Sequence, residues 1–266
     1  MKPRISVIMG IYNCAPTLAE ALDSLLAQTY QEFKVIMCDD GSKDNTPDIA
    51  QQYMDKYPDK FMLIKNERNM GLNFTLNHCL EYADTEYVAR MDGDDISLPT
   101  RFEKEINFLD SHPEYAFVSA PMIHFDEKGE FKRGQGGHTP TSGIDFLEGR
   151  TYCHAPVMMR IEAYNAVNGY TISKYLLRLE DQHLWLKLYQ KGYMGFNLSE
   201  CLYMMRDDRN ATARRDFKTR RNEMLHRLRI CRTFKLPLWR YAQSILLPMA
   251  KWLAPTSLYE KLHKSK

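Results

Sequence analysis

The chain lacks the cysteine spacing of a stapled or zinc-bearing scaffold. Its six cysteines, Cys14, Cys38, Cys79, Cys153, Cys201 and Cys231, form no C-x-x-C pair and match no zinc-ligand pattern. In 266 residues they read as reduced thiols of a cytosolic protein, most of them filling core positions. Long apolar runs are missing too. No stretch of about 18 apolar residues occurs, which excludes a membrane-crossing helix. The apolar run at residues 5–9 is too short for a signal-peptide core, and no small-residue cleavage site follows it. It reads as a first strand. Excess charge is also scarce: the net charge is only +2, too weak a field to predict a nucleic-acid partner. No internal repeat and no linker-like segment divides the chain.

What is present begins with an alternation of strand and helix. Strand-like runs at 5–9, 33–37, 61–65 and 87–89 are separated by helical patterns. Leu18, Ala21, Leu22, Leu25 and Leu26 recur at helical spacing. Thr46-Pro47 opens a second helix, with Thr as N-cap and Pro at N1, and residues 72–82 form a third. This order implies a parallel sheet with right-handed crossovers. In such a sheet ligands bind beyond the carboxyl ends of the strands, and acidic loops follow strands two and four there. After Asp110 the pattern turns to mixed α+β. It holds an apolar strand at 116–123, a hairpin turn at Asp126-Glu127-Lys128-Gly129, a Gly-rich loop at 134–140, a short strand at 157–159 and a helix at 180–190. Residues 206–266 carry the excess of Lys and Arg, and the first 205 are net acidic. The expected organisation is one α/β domain over 1–205 with a mixed, mostly parallel sheet, followed by a basic amphipathic helical tail over 206–266.

The run Ala89-Arg90-Met91-Asp92-Gly93-Asp94-Asp95 puts three carboxylates within four residues at a strand end. Like charges this close raise each other's pKa unless something positive sits among them. A hard divalent cation with oxygen ligands is the usual partner. Asp92 and Asp94 share one side of an extended segment, which suits a Mg²⁺ or Mn²⁺ that also holds a diphosphate.

Six motifs now stand in order. They are Ile5-Ser6-Val7-Ile8-Met9-Gly10-Ile11-Tyr12-Asn13, Ser24-Leu25-Leu26-Ala27-Gln28-Thr29-Tyr30, Asp39-Asp40-Gly41-Ser42-x-Asp44-x-Thr46, Asn69-x-Gly71, Asp92-x-Asp94-Asp95 and Glu180-Asp181. Together they resemble family 2 glycosyltransferases of the Rossmann-like GT-A fold, over roughly residues 4–205. The likeness is nearest to bacterial enzymes of capsule, exopolysaccharide or O-antigen synthesis. Gly10 stands where many members carry Thr or Pro. The Q-x-x-R-W motif and membrane helices of the processive synthases are absent, which points to single sugar addition.

The resemblance implies an inverting, metal-dependent transfer from a nucleoside diphosphate sugar, a UDP-sugar by preference, to a saccharide acceptor. Asp94 matches the metal ligand, and Asp92 the ribose or the metal's water shell. Asp95 would hold the donor sugar's hydroxyls or act as a helix N-terminal charge. Asp40 resembles the aspartate that accepts from the uracil N3–H, with Asp39 serving there instead or capping the turn. Tyr12 resembles the aromatic that stacks on the base. Asn73 touches base or phosphate, or is a polar residue opening a helix. Asp181 resembles the general base, with Glu180 as runner-up. His154 lies near the donor diphosphate in related enzymes, against a packed core role. Arg206, with Arg209 competing, would close over the diphosphate, against a solvated charge run.

The tail mixes Trp239, Trp252 and leucines with basic residues, the composition of an interfacial helix. This fits a membrane surface and a lipid-linked acceptor on the cytoplasmic leaflet, so the expected location is cytoplasmic and peripheral to the cell membrane's inner face. The competing reading is a helix pair that packs on the domain or joins a homodimer. Two other functions compete. A sugar-nucleotide nucleotidyltransferase would carry a basic residue in the first loop, which Gly10-Ile11-Tyr12-Asn13-Cys14 lacks. A non-catalytic sugar-nucleotide-binding scaffold would have no need of both Asp94 and Asp181.

Overall fold

The structure, a computed structural model, describes residues 2–207 and 217–253. Arg209, the competitor of Arg206, lies outside the described residues. The first half alternates β1 (Ile5–Ile11), α1 (Ala15–Leu26), β2 (Phe33–Asp39), α2 (Thr46–Lys56), β3 (Phe61–Lys65), α3 (Leu72–Leu80) and β4 (Tyr87–Arg90). Then come β5 (Ile96–Ser97), α4 (Arg101–Ser111), β6 (Phe117–Ser119), β7 (Met122–Asp126), β8 (Gly129–Arg133) and α5 (Gly143–Leu147). They are followed by β9 (Met158–Arg160), α6 (Ile161–Ala166), α7 (Glu180–Gln190), β10 (Gly195–Asn197) and β11 (Tyr203–Arg206). The last two elements among the described residues are α8 (Phe217–Thr233) and α9 (Leu238–Leu253).

A seven-stranded sheet has the order β10-β6-β9-β4-β1-β2-β3, and a second sheet the order β5-β11-β7-β8. β1 runs parallel to both β2 and β4, and β2 parallel to β3. β9 enters antiparallel between β4 and β6, so the sheet is mixed. Alternation along β1 explains the two cores. Ile5, Val7, Met9 and Ile11 face Leu18, Leu22 and Leu25 of α1. Ile8 faces the opposite side, with Leu76 and Cys79 of α3 and Trp185 of α7.

Four details depart from the sequence reading. β2 runs on to Asp39, so this aspartate ends a strand rather than opening a loop. α3 ends at Leu80, short of residue 82. The strand expected at 116–123 is two strands in two sheets, broken before Met122. Pro121 supplies no N–H for a ladder there. Finally, Thr46 is not an N-cap. Asn45 holds that position, and the Thr46 hydroxyl accepts instead from the Cys14 N–H at 2.8 Å.

The division at 205/206 falls within β11. α8 packs on the domain: Ile230 and Cys231 join the core of α3 and α7, the Arg227 guanidinium donates to the Leu147 carbonyl at 2.6 Å, and Phe234, just past its end, meets the Phe146 ring at 5.2 Å. α9 lies on α8 and keeps an outer apolar face.

Arg101 and Glu105 form a fully buried ion pair at the first turn of α4, and Arg101 also donates to the Arg90 carbonyl at 2.9 Å. Removing one partner of a buried pair leaves an uncompensated charge. Glu105→Ala should therefore lower unfolding free energy by about 3–5 kcal/mol in urea denaturation. Arg101→Met with Glu105→Leu should recover part of that loss.

Candidate active site

The parallel strands β1 and β4 are neighbours, so their carboxyl ends deliver the loops at 12–14 and 92–95 to one place. Between them lies a cavity of about 490 Å³ lined by Tyr12, Leu72, Arg90, Asp92, Asp94 and Arg206, among others. Tyr12 is 45% exposed at its mouth.

The loop that carries Tyr12 is held by the acidic-turn motif. The Asn13 N–H donates to Ser42 Oγ at 3.1 Å, and the Lys43 N–H to Asn13 Oδ1 at 2.7 Å. The Ala15 N–H donates to Asp44 Oδ2 at 3.1 Å. Asn13 itself sits at φ 49°, a left-handed conformation that asparagine tolerates better than most residues. Gly41, at φ +75°, has backbone atoms of Arg68 and Asn69 about its missing Cβ, the nearest at 2.9 Å. A side chain would not fit there.

Asp40 is buried, and its carboxylate is committed to the protein. Oδ1 accepts from Asn66 Nδ2 and from the Met70 N–H, each at 2.7 Å, and Oδ2 accepts from the Gly71 N–H at 2.9 Å. It fixes the Asn69-Met70-Gly71 turn that starts α3. Asp39 accepts through Oδ1 from the Ser42 N–H at 3.1 Å, so of the pair it keeps more accepting capacity for a ligand. Neither lines the 490 Å³ cavity. Asn73 donates through Nδ2 to the Thr171 carbonyl at 2.9 Å, and Leu72 takes the place on the cavity wall.

The three carboxylates after β4 differ sharply. Asp92 Oδ1 accepts from Arg90 Nη2 at 2.5 Å, and its N–H donates to the Tyr203 hydroxyl at 3.2 Å. Asp95 is buried, and its Oδ1 accepts from the Arg206 N–H at 2.8 Å. Burial first, then the charges of Asp92 and Asp94, push Asp95 up to about 7. Asp94 is the most exposed of the three. Partial loss of hydration, then the charge of Asp92, still raises its pKa, while Arg206 and Arg90 oppose the shift. Among the described residues no other side chain pairs with its carboxylate. Nor do three His, Cys, Asp or Glu side chains converge on one point there. The donor set therefore fits a cation that takes one or two carboxylates and fills its other positions from phosphate and water.

Arg206 bridges the site. Its Nε donates to the Asp94 carbonyl at 3.0 Å, its Nη2 pairs with Glu20, and its guanidinium lies 4.5 Å from the centre of the Phe125 ring. Arg90 is the residue that sequence reading passed over. It is buried on the cavity wall, and its charge acts on Asp92, His154 and Asp181. Its place directly before the acidic cluster was the available signal. Tyr203 was passed over too, and nothing local marks it. His154 Nε2 pairs with the Tyr170 hydroxyl at 2.9 Å. Burial, then the Arg90 charge, drives its pKa well down, so the ring is neutral. Glu180 and Asp181 open α7. Burial chiefly, and then the Glu180 charge, raises Asp181, while Arg90 opposes the shift.

A profile of the family described as "Glycosyl transferase family 2" matches residues 6–167. The glycosyltransferase-family protein EpsE of Bacillus subtilis (strain 168) is 41% identical over 264 residues, 99% of this chain and 94% of its own length. The amylovoran biosynthesis glycosyltransferase AmsE of Erwinia amylovora is 31% identical, over 76% of this chain and 75% of its own. The enzyme WfaP of Escherichia coli, a UDP-Glc:alpha-D-GlcNAc-diphosphoundecaprenol beta-1,3-glucosyltransferase, is 30% identical over 73% of each chain. Among solved structures, S. aureus TarS in complex with UDP-GlcNAc matches with a TM-score of 0.69 at 21% identity, over 95% of this chain and 72% of that one. The mannosyltransferase PcManGT from Pyrobaculum calidifontis, in complex with GDP-Man and Mn²⁺, matches with a TM-score of 0.66 at 19% identity, over all of this chain and 80% of that one. The two structures share the GT-A fold with this chain.

Because the folded-state pKa of Asp95 is raised, the folded protein holds a proton that the unfolded chain has released. Stability from this group is complete below the unfolded value near 3.8 and is lost as pH rises to about 7. Asp95→Asn keeps the acceptor for Arg206 and removes the charge. In EDTA it should melt like wild type near pH 4 and above wild type at pH 8. A melting difference that does not change with pH would contradict this account of the cluster.

Proposed function

The chain belongs to glycosyl transferase family 2, and from that membership we propose that it moves a sugar from a UDP-sugar to a saccharide acceptor, with inversion, in the assembly of a bacterial surface polysaccharide. The observation that carries this reading is the Asp94 carboxylate, unpaired by any side chain among the described residues, lining a crevice shared with Tyr12 and Arg206. The names of AmsE and WfaP support the polysaccharide and lipid-linked acceptor. The TarS complex supports a UDP-sugar.

In this mechanism Tyr12 stacks on the base, where one stacked ring is worth about 1–3 kcal/mol. Asp39 accepts from the uracil N3–H, and Asp40 holds the adjoining turn. A divalent cation, Mg²⁺ or Mn²⁺, held by Asp94 with Asp92 in its water shell, would supply Lewis-acid stabilisation of the diphosphate leaving group. Arg206 and Arg90 add fixed positive charge at the same end of the crevice, already oriented by Glu20, Asp92 and the loop carbonyls. Neutral His154 donates a hydrogen bond without adding charge. Asp181 takes the proton of the acceptor hydroxyl as that oxygen bonds to the anomeric carbon. The bond to the diphosphate breaks, and its electrons leave with UDP. The raised pKa of Asp181 makes it a stronger base than a solvated aspartate.

Asp94→Ala should abolish Mn²⁺-stimulated UDP release from UDP-sugars while leaving the melting curve intact. Asp181→Asn should lower transfer by about 10²–10⁴-fold with donor affinity kept, and NMR of the wild-type product should show an inverted anomeric centre. Wild-type turnover in Asp94→Ala, or a retained configuration, would remove this mechanism.

The acceptor reading extends to the tail. No helix among the described residues is long and apolar enough to cross a membrane, but α9 exposes Leu238, Trp239, Leu246, Met249 and Trp252. Arg229 and Arg232 of α8 and Lys235 of the turn between the helices are exposed. We assign this face to a lipid surface with anionic headgroups, on the cytoplasmic side where the donor is found. The intact protein should co-sediment with anionic vesicles. Raised salt should weaken binding only partly, and Trp239→Ser with Leu246→Ser should remove the salt-resistant part. Absence of a lipid-bound fraction at low salt, with a concentration-dependent dimer in its place, would reassign the face to a second copy.

A further inference from the structure

A second cavity, of about 290 Å³, lies between α5, the turn before α7 and α8, and shares no residue with the donor crevice. Its polar lining includes Arg178, Gln182, Glu223, His226 and Arg227, and Leu179 is among its apolar walls. His226 is 1% exposed, and neither ring nitrogen has a hydrogen-bond partner among the described residues. Burial, and then the nearby His183, hold its pKa down at about 3. The ring is therefore neutral, with one N–H to give and one lone pair to fill. Each such group left unmet in a protein interior costs about 1–3 kcal/mol. The chain also bends to build this wall: Arg178 lies at φ 63°, a conformation that is strained for a long side chain and persists where the surroundings fix it.

The chemistry of the wall selects the ligand. A phosphate or carboxylate accepts only, so the His226 lone pair would stay empty. A metal ion takes a lone pair and leaves the N–H unmet. A hydroxyl group both gives and accepts. Glu223 pairs with Arg220 and Arg227 donates to the Leu147 carbonyl, so hydroxyls on a ring with apolar C–H faces match what the wall has left, Gln182 and His226 with Leu179. Leu179 and Gln182 flank Glu180 and Asp181 at the start of α7, so the cavity lies beside the helix turn that carries the proposed base.

We propose that this cavity is a saccharide subsite for the acceptor, formed by α8 of the tail. The proposal rests on the reading of Asp181 as the base. The test uses the full chain and simple probes: methyl glucoside, N-acetylglucosamine, lactose and cellobiose, observed by saturation-transfer NMR, with UDP and Mn²⁺ titrated separately. His226→Phe keeps the ring's volume and removes both unmet groups, so it should fold at least as stably as wild type. At least one probe should bind wild type, and its affinity should fall about tenfold or more in His226→Phe and in Gln182→Leu, the scale of one lost buried hydrogen bond. UDP affinity should not change. If no probe binds wild type, or if binding survives both substitutions, the cavity holds ordered water and the proposal is wrong. Failure of UDP to bind would instead sink the donor reading, and the saccharide titration would still stand on its own.

Discussion

Three carboxylates within four residues at the end of β4 repel one another, and the arrangement around them answers that repulsion. Arg90 takes Asp92 from the strand side. The backbone N–H of Arg206 takes Asp95 from below, and the Tyr203 hydroxyl accepts from the loop itself. What is left is one carboxylate, Asp94, turned to solvent with no hydrogen-bonded side-chain partner among the described residues, though the charges of Arg206 and Arg90 act on it. The loop is thus held under electrostatic tension that a divalent cation can relieve. β11, the second sheet and the buried Arg101–Glu105 pair behind Arg90 all contribute to holding it there.

The other wall of the crevice depends on a different kind of constraint. The residues that resemble a nucleotide-binding signature do much of their work within the protein. Ser42, Asp44 and Thr46 bind the backbone of the Tyr12 loop, and Asp40 binds the backbone of the Met70-Gly71 turn. Three protein donors fill most of the Asp40 carboxylate's accepting capacity, whereas the Asp39 carboxylate accepts one, from the Ser42 N–H. Motif residues of this sort shape the site by fixing loops, and the ligand meets their neighbours.

The tail serves two masters. α8 is tied into the core by Ile230, Cys231 and the Arg227 hydrogen bond. It closes one side of a cavity beside the acidic start of α7. α9 presents leucines and tryptophans outward.

The sequence by itself determined the strand and helix order, the parallel start of the sheet and the membership of the family. Those features rest on periodicity and short motifs, which act locally. It also marked Asp94, because a strand ending in packed acids is unusual in any fold. It did not reveal that Asp40, Asp95 and Asn73 are committed to backbone groups or side chains 26 to 111 residues away, nor that Arg90 charges the centre of the site. Nor could it split the 116–123 strand between two sheets or separate the roles of α8 and α9. A side chain's remaining hydrogen-bonding capacity depends on which donors and charges the fold brings to it, and only the tertiary structure decides that.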